Sequence, residues 1–326
     1  MLNYISWNVN PEIFHLGPLS VRWYGLMWAC AILVAWEIVK KVYRHEQRPE
    51  NWADKLFFYG TIGLIVGARL GHCLFYEWHL LHEPIKFLGM TFRYGNHFLS
   101  HPWELLYIWQ GGLASHGGAI GLLIAMYLYN KNVTKKGYIF IFDRLVMGVA
   151  VGGALIRFGN LMNSEIYGGP TTLPWGFNFV RDDMWHRPLE MGGAGELPCH
   201  PTQIYEMLYC LVTFAIIWWM YWKKGAAKRT GLIFGVFLIG IFGTRFVLEF
   251  IKWNQELFEE GMLLNMGQWL SLPFIIWGIY LIIRAGRMTP IVEEQKKEEP
   301  SVIRSASSNK QVGTAKPKEK ERKLRK

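Results

Sequence analysis

Apolar positions along the chain gather into seven runs, at about 20–40, 56–76, 108–130, 139–162, 202–222, 231–252 and 266–284. A hydrocarbon core about 30 Å thick takes roughly 20 helical residues to cross. The pattern therefore predicts an all-α polytopic membrane protein with about seven transmembrane helices. Several runs contain Gly or Pro, which spanning helices tolerate when neighbours satisfy the freed backbone groups. Gly63 and Gly67, and likewise Gly148 and Gly152, stand four residues apart and predict close helix contacts. Two long connections interrupt the runs, about 77–107 and 163–201. The second is rich in Gly, Pro and aromatic residues, and reads equally as a small ordered head or a mobile lid.

The distribution of charge adds an orientation. Loops after the first, third and fifth runs carry 12 basic residues: Lys40, Lys41, Arg44, Arg48, Lys55, Lys131, Lys135, Lys136, Lys223, Lys224, Lys228 and Arg229. The opposite loops carry four, Lys86, Arg93, Arg181 and Arg187. The positive-inside bias then places the N-terminus outside, the C-terminus in the cytoplasm, and the 163–201 head segment on the extracytoplasmic side. Residues 1–284 read as one membrane domain. Residues 285–326 hold 12 Lys/Arg against 6 Glu and no aromatic residue, and so read as a disordered basic tail that supplies +6 of the net +10. Beside a membrane, that tail fits anionic lipid better than nucleic acid. Only 18% of the 326 residues are charged, as expected of a chain largely in lipid. The first run is followed by "KKVYRHEQRPE" rather than a small-residue cleavage site, and reads as a retained span.

Polar residues inside the spans fall at one depth. Tyr24 lies near the start of span one. Arg69 is about seven residues inside span two and His116 about eight inside span three, at ~1.5 Å per residue. Arg157 is about five residues from the outer end of span four, with Asn160 three further on. Gln203, Tyr205 and Glu206 open span five. Arg245 lies about seven residues inside span six, with Glu249 a turn further out. All sit within roughly 12 Å of the outer surface, and the inner halves read as nearly free of charge. Each ionisable residue also has a structural reading: Arg69 with Glu77, or Arg245 with Glu249 at i,i+4, would lock helices. His116 lies among Gly111, Gly112, Gly117 and Gly118, a setting that would leave room for backbone or a ligand to approach. No repeat is visible and the polar depth is off-centre, which argues against a transporter with a midplane site. A scaffold protein would leave the buried Arg, His and Asn residues unexplained. His97 and His101 lack an acidic helper, so no metal site is expected, and no cofactor motif is present. Cys30, Cys73 and Cys210 read as buried packing residues, and Cys199, in a loop before His200, as an inert or, alternatively, a reactive thiol.

The constellation resembles the prolipoprotein diacylglyceryl transferase family. "IRFGNLMNSEIYG" at 156–168 is similar to its signature of Arg, any residue, Gly-Asn, two apolar residues, Asn, any residue, Glu. "RWYGLM" at 22–27, "GARLGHCLFYE" at 67–77, "SHGG" at 115–118, "HPTQIYE" at 200–206, "TRFVLEF" at 244–250 and "MGQWLSLP" at 266–273 resemble further family motifs in the same order. The likeness covers about residues 17–284. Three positions depart from it: Ile156 where Gly is usual, Thr202 where Ser is usual, and Ile241 where a Tyr often stands.

The resemblance implies a transferase of the bacterial cytoplasmic (inner) membrane with its site toward the outer leaflet. Its partners would be phosphatidylglycerol, lipobox-containing preprolipoproteins and membrane lipid, without nucleic acid, cofactor or metal. A diacylglyceryl group would pass to the lipobox cysteine thiol, forming a thioether and releasing glycerol 1-phosphate. His116 and Arg245 are then the expected catalytic residues. Arg157 would grip the phosphate, since a guanidinium offers two charge-assisted bonds. Asn160, Asn163 and Glu165 would position the head group or the loop, and Glu249 would fix Arg245. Gln203 and Glu206 would support from span five, and Tyr24, Arg69, Tyr205 and His200 complete the substrate-binding set. His116 is the expected base or its orienter, and its choice over Arg245 for the thiol proton stays open on the sequence.

Overall fold

The central element of the structure is the helix that carries the signature motif at its end. The computed structural model describes residues 4–17, 19–75, 78–87, 90–96, 102–106, 114–191, 193–252 and 262–289. Its long helices are α1 (Trp23–His45), α2 (Asn51–Phe75), α3 (Ser115–Tyr129), α4 (Tyr138–Met162), α5 (Thr202–Lys224), α6 (Leu232–Ile251) and α7 (Met266–Arg287). Five of them, α2, α4, α5, α6 and α7, are long and apolar enough to cross a membrane, so the chain is a mostly helical, multi-pass membrane protein. Within its most apolar window α4 is 56% buried, about twice the share of the other four, because α1 and α5 pack along it on two sides. Helix α2 packs chiefly on α3, and α7 on α6.

Close crossings are made by small residues. A methyl group at Gly67 would collide with the Gly117 carbonyl oxygen, and one at Gly63 would lie 2.5 Å from the Ala125 side chain. One at Gly148 would meet the Ala35 backbone at 2.7 Å. The expected small-residue contacts at Gly63, Gly67 and Gly148 are therefore real, and they join α2 to α3 and α4 to α1. The same geometry decides between the two readings of the glycines after His116. Gly117 admits the backbone of Gly67 and Gly71 of α2, and Leu64 packs against Gly118, so the room is taken by backbone and packing rather than by a ligand. Gly111 and Gly112 lie outside the described residues, as do Glu77, His97, His101 and the tail beyond residue 289.

The purely α expectation also needs amending. Three two-stranded sheets occur: β1 (Ile5–Ser6) parallel to β6 (Phe177–Asn178), β2 (Glu12–Leu16) antiparallel to β3 (Leu19–Arg22), and β4 (Trp78–Phe87) antiparallel to β5 (Met90–Asn96). The β1–β6 pair sews the N-terminal segment to the head. The head is ordered around its own core of Leu161, Tyr167, Phe177, Phe179, Trp185, Ala194 and Cys199, with Trp7 packed against it. Tyr167 donates to Asp182, Trp185 Nε1 to the Leu197 carbonyl at 2.8 Å, and Trp7 Nε1 to Leu161 at 2.9 Å. Such a core gives the described residues of this segment the packing of a small head.

Two residues stand against the expectation that the inner halves are nearly free of charge. Asp143 and Arg144, near the start of α4, are buried. Arg144 reaches Glu46 with Nε at 3.1 Å and Nη2 at 3.0 Å, and Tyr221 donates to the same carboxylate at 3.1 Å. Asp143 accepts from the backbone of Gly231 and Phe234, satisfying amide donors at the start of α6 that have no intrahelical partner. These charges are fully matched and act as a tie between α1, α4, α5 and α6.

Candidate active site

The signature motif lies where α4 ends, and its polar side chains close on one another. Arg157 Nη1 donates to Asn160 Oδ1 at 3.2 Å. Asn160 Nδ2 donates to Glu165 Oε1 at 2.7 Å, and Asn163 Nδ2 donates to the same oxygen at 3.2 Å. The turn that brings Glu165 back to α4 places Ser164 at φ 57° and Ile166 at φ 61°. A positive φ at a β-branched residue is strained and persists only when its surroundings over-determine it. Here α5 does so from its first turn. Gln203 Nε2 holds the Glu165 carbonyl at 2.7 Å, and Thr202 Oγ1 holds the Ile166 carbonyl at 2.9 Å. Thr202 thus keeps the hydroxyl of the usual Ser, and its extra methyl packs beside Gly168.

From this loop the chain is stitched to α6. Gly168 donates to His200 O at 2.8 Å, and Gly169 donates to Ile251 O at 2.9 Å. The junction delivers Lys252, which the sequence reading passed over, into a run of alternating charge. Arg157 Nε stands 2.6 Å from Glu206 Oε2, Lys252 Nζ 2.7 Å from Glu206 Oε1, and Lys252 Nζ 3.8 Å from Glu249 Oε2. Glu206 is wholly buried and Glu249 and Lys252 nearly so, whereas the Arg157 side chain is 23% exposed. The Arg157–Glu206 contact is an ion pair without hydrogen-bond geometry, so Glu206 Oε2 accepts no hydrogen bond. Among the described residues Arg157 Nη2 donates to none either.

Arg245 is positioned by an irregularity. Helix α6 widens into a π turn at Ile239–Gly243, where Gly240 packs on Thr213 and the Thr244 hydroxyl donates back to Gly240 O and Ile241 O. Such bulges re-phase the following residues and recur at functional sites. Ile241 lies inside this turn. Arg245 Nε is buried without a hydrogen-bond acceptor, and no carboxylate lies within 4 Å of Arg245 among the described residues. The expected Arg245–Glu249 lock is thus absent. Glu249 pairs with Lys252 instead, and Gly267 of α7 packs on its carboxylate. Tyr209, one turn along α5 from Glu206, feels the charge of both Arg157 and Arg245.

The remaining candidates divide. Tyr24 packs on Gly159, where a methyl would lie 3.2 Å from the Tyr24 Cα, and so borders the signature. Tyr205 accepts from Trp175 Nε1 at 2.8 Å and lies 3.4 Å from His200 Nδ1 at the edge of the head. Burial pushes the His200 imidazole below its ordinary value. Arg69 is not brought to this cluster: it is buried and its Nε donates to the Leu105 carbonyl at 3.1 Å. His116 is exposed at the start of α3, with no hydrogen bond to the Arg157 cluster. Cys199 is buried, its thiol pushed up to about 12 by desolvation and then by Asp182, so the reactive reading fails. Cys30, Cys73, Cys199 and Cys210 form no disulfide with one another.

Comparison with known proteins points the same way. Residues 11–284 match the family model described as prolipoprotein diacylglyceryl transferase. Among relatives, a phosphatidylglycerol–prolipoprotein diacylglyceryl transferase of Porphyromonas gingivalis is 45% identical over 298 residues, covering 89% of this chain and 98% of the relative. Proteins of that name from Chloroherpeton thalassium and Tolumonas auensis are each 38% identical over 283 residues. Those alignments cover 87% of this chain and 95% and 98% of the relatives.

Proposed function

The chain belongs to the prolipoprotein diacylglyceryl transferase family, and from that premise we propose how its buried charges transfer a diacylglyceryl group from phosphatidylglycerol to a prolipoprotein. The observation that carries the reading is a pair of guanidinium groups, Arg157 and Arg245, whose charges both reach Tyr209, with Arg245 Nε buried and unmatched and Arg157 Nη2 unmatched on a partly exposed side chain. Unmatched buried donors are costly unless a strong acceptor completes them, and a phosphodiester is such an acceptor.

In the reaction the lipobox sulfur forms a bond to the glycerol carbon, and that carbon's bond to the phosphate oxygen breaks. The thioether product keeps the diacylglyceryl group, and glycerol 1-phosphate leaves. Arg157 Nη2 and Arg245 hold the phosphate and stabilise the charge that develops on its leaving oxygen. Glu206 and Lys252 keep Arg157 from swinging away, while Asn160, Asn163, Glu165 and Gln203 fix the loop. His116 accepts the thiol proton, a role supported by its exposed ring and its motif. Tyr24, Tyr205, His200 and Glu249 shape the walls around the head group, and Arg69 steadies the connection before α3.

The reading includes seven crossings of the bacterial inner membrane, an outer N-terminus, a cytoplasmic C-terminus and a site toward the outer leaflet. It is supported by the 12-to-4 bias of basic loop residues and by α1 and α3, which coincide with the first and third apolar runs. Helix α3 is prolonged by a π turn over Asn130–Thr134. The test is incubation of the full chain with phosphatidylglycerol and a lipobox peptide. We expect a mass gain of one diacylglyceryl group on the cysteine and none with the Cys→Ala peptide. Failure of the wild-type chain to modify the peptide while phosphatidylglycerol is present overturns the reading.

A further inference from the structure

Away from this site, α1 and α5 both pack along α4 and are joined to each other where α1 ends. There the His45 ring lies tilted against Trp222 with centroids 4.3 Å apart, and the Tyr221 hydroxyl donates to Glu46. Beyond that closure the two helices part and leave a groove of about 630 Å³, walled by Leu33, Val34, Ile38, Phe214 and Trp218. From Leu33 to Arg44 it runs about 16 Å at ~1.5 Å per residue, the length of most of an acyl chain. Its closed end is positively charged. Lys41 Nζ lies 5.2 Å from the Trp218 ring and 5.7 Å from the Trp222 ring, and Arg44 lines the same end. Glu37 also lines the groove but is paired with Lys40 at 3.6 Å. Neither Lys41 nor Arg44 has a carboxylate within 4 Å among the described residues.

We infer that this groove is a second lipid site, which holds an anionic phospholipid with its phosphate between Lys41 and Arg44 and one acyl chain along the α1–α5 walls. The occupant follows from the two parts of the groove taken together. A free phosphate or an acidic peptide has no use for an apolar trough that opens into the hydrocarbon, and a zwitterionic lipid brings a cation to a rim that already carries two. Basic pockets between spanning helices on the cytoplasmic side bind anionic head groups in this way. The assignment to the cytoplasmic leaflet rests on the orientation under the proposed function; the site itself does not. It holds its lipid without chemistry, because the one carboxylate that lines it, Glu37, is paired with Lys40, and it braces α1 against α5 behind the α4 helix that presents Arg157.

The test is native mass spectrometry of the full chain in mild detergent, supplied with phosphatidylglycerol or phosphatidylcholine of matched chains and with no peptide acceptor. We expect the wild type to retain phosphatidylglycerol preferentially. Lys41→Gln/Arg44→Gln should lose about fivefold in retention per cation removed, and Arg157→Gln should keep the groove lipid. Lys41→Arg is the control that preserves charge and fold, and it should retain lipid like the wild type. Equal retention of both lipids, or undiminished retention in Lys41→Gln/Arg44→Gln, overturns the proposal. Because no transfer is needed for the readout, a chain inactive on lipobox peptide would refute the proposed function while leaving this measurement intact.

Discussion

Arg157 Nε lies 2.6 Å from Glu206 Oε2, and on the other oxygen of that carboxylate Lys252 Nζ lies at 2.7 Å. One buried acid is thus shared by a partly exposed guanidinium on α4 and a buried ammonium just past α6. The arrangement fixes where Arg157 can point, since a carboxylate with a single cation would draw the guanidinium fully inward.

Lys252 therefore matters to a substrate it does not touch. Lys252→Met strips Glu206 of one cation and Glu249 of the one it has within 4 Å. Removing one partner of a buried charge set costs about 3–5 kcal/mol. Because Arg157 still covers Glu206, we expect the low end of that range, together with a raised KM for phosphatidylglycerol and a smaller change in kcat. Lys252→Arg should restore most of both. Thermal unfolding in detergent and initial rates at varied lipid will show it, and an unchanged KM in a folded Lys252→Met chain would remove the positioning role.

Arg245 offers the reverse contrast. With no carboxylate within 4 Å among the described residues and a buried, unmatched Nε, it stabilises the fold little. Arg245→Gln should lower transfer by about 10²–10³-fold, the loss typical when one donor to a developing oxyanion is removed. Its melting temperature should stay near that of the wild type. Arg157→Gln should lose activity and stability together, because Glu206 forfeits a cation. If Arg245→Gln unfolds as readily as Arg157→Gln, Arg245 is a structural residue.

The contrast between these residues also marks what the sequence could convey. Helix positions were legible because apolar periodicity is imposed by the membrane on every span, and α4 ends within a residue of where the pattern stops. The Arg157–Asn160–Glu165 cluster was legible because its members share one turn of chain. Lys252 was not, since its partners Glu206 and Glu249 come from two helices, and its position follows from the Gly168–His200 and Gly169–Ile251 hydrogen bonds. The Arg245–Glu249 lock failed for a related reason. The i,i+4 rule assumes a regular helix, whereas this segment follows a π turn and tightens into a 3₁₀ turn at Glu249. The glycines after His116 left backbone and ligand undecided because open space and tight packing leave the same mark in a sequence.

The head makes a prediction about its one cysteine. Cys199 is wholly buried, Sγ donates to Leu197 O at 3.4 Å, and its thiol is pushed up to about 12. With Cys30, Cys73 and Cys210 changed to Ala, the native chain should resist maleimide at pH 7.5 and react fully once unfolded. The acceptor peptide's thiol should react under both conditions, which separates substrate from enzyme. Rapid labelling of native protein would mean that the 163–201 head opens as a lid.

His200 gives the fold a pH dependence on its acid side. Its imidazole lies at the entry to α5, with Nδ1 3.4 Å from Tyr205 Oη and its backbone amide donating to Gly169 O. Burial is the cause that lowers its folded-state value below 6.5. Protonation is thus easier in the unfolded chain, which binds the proton first as pH falls. The neutral ring's contribution is complete above pH 6.5 and is lost as pH drops through the lowered folded value. His200→Gln keeps a polar group of similar reach that does not titrate. Its melting temperature should therefore fall less than the wild type's between pH 7.5 and pH 5, with the two curves diverging only below 6.5. Parallel curves over that interval would show that the head is indifferent to the charge on His200, and that the acid sensitivity of the fold arises elsewhere.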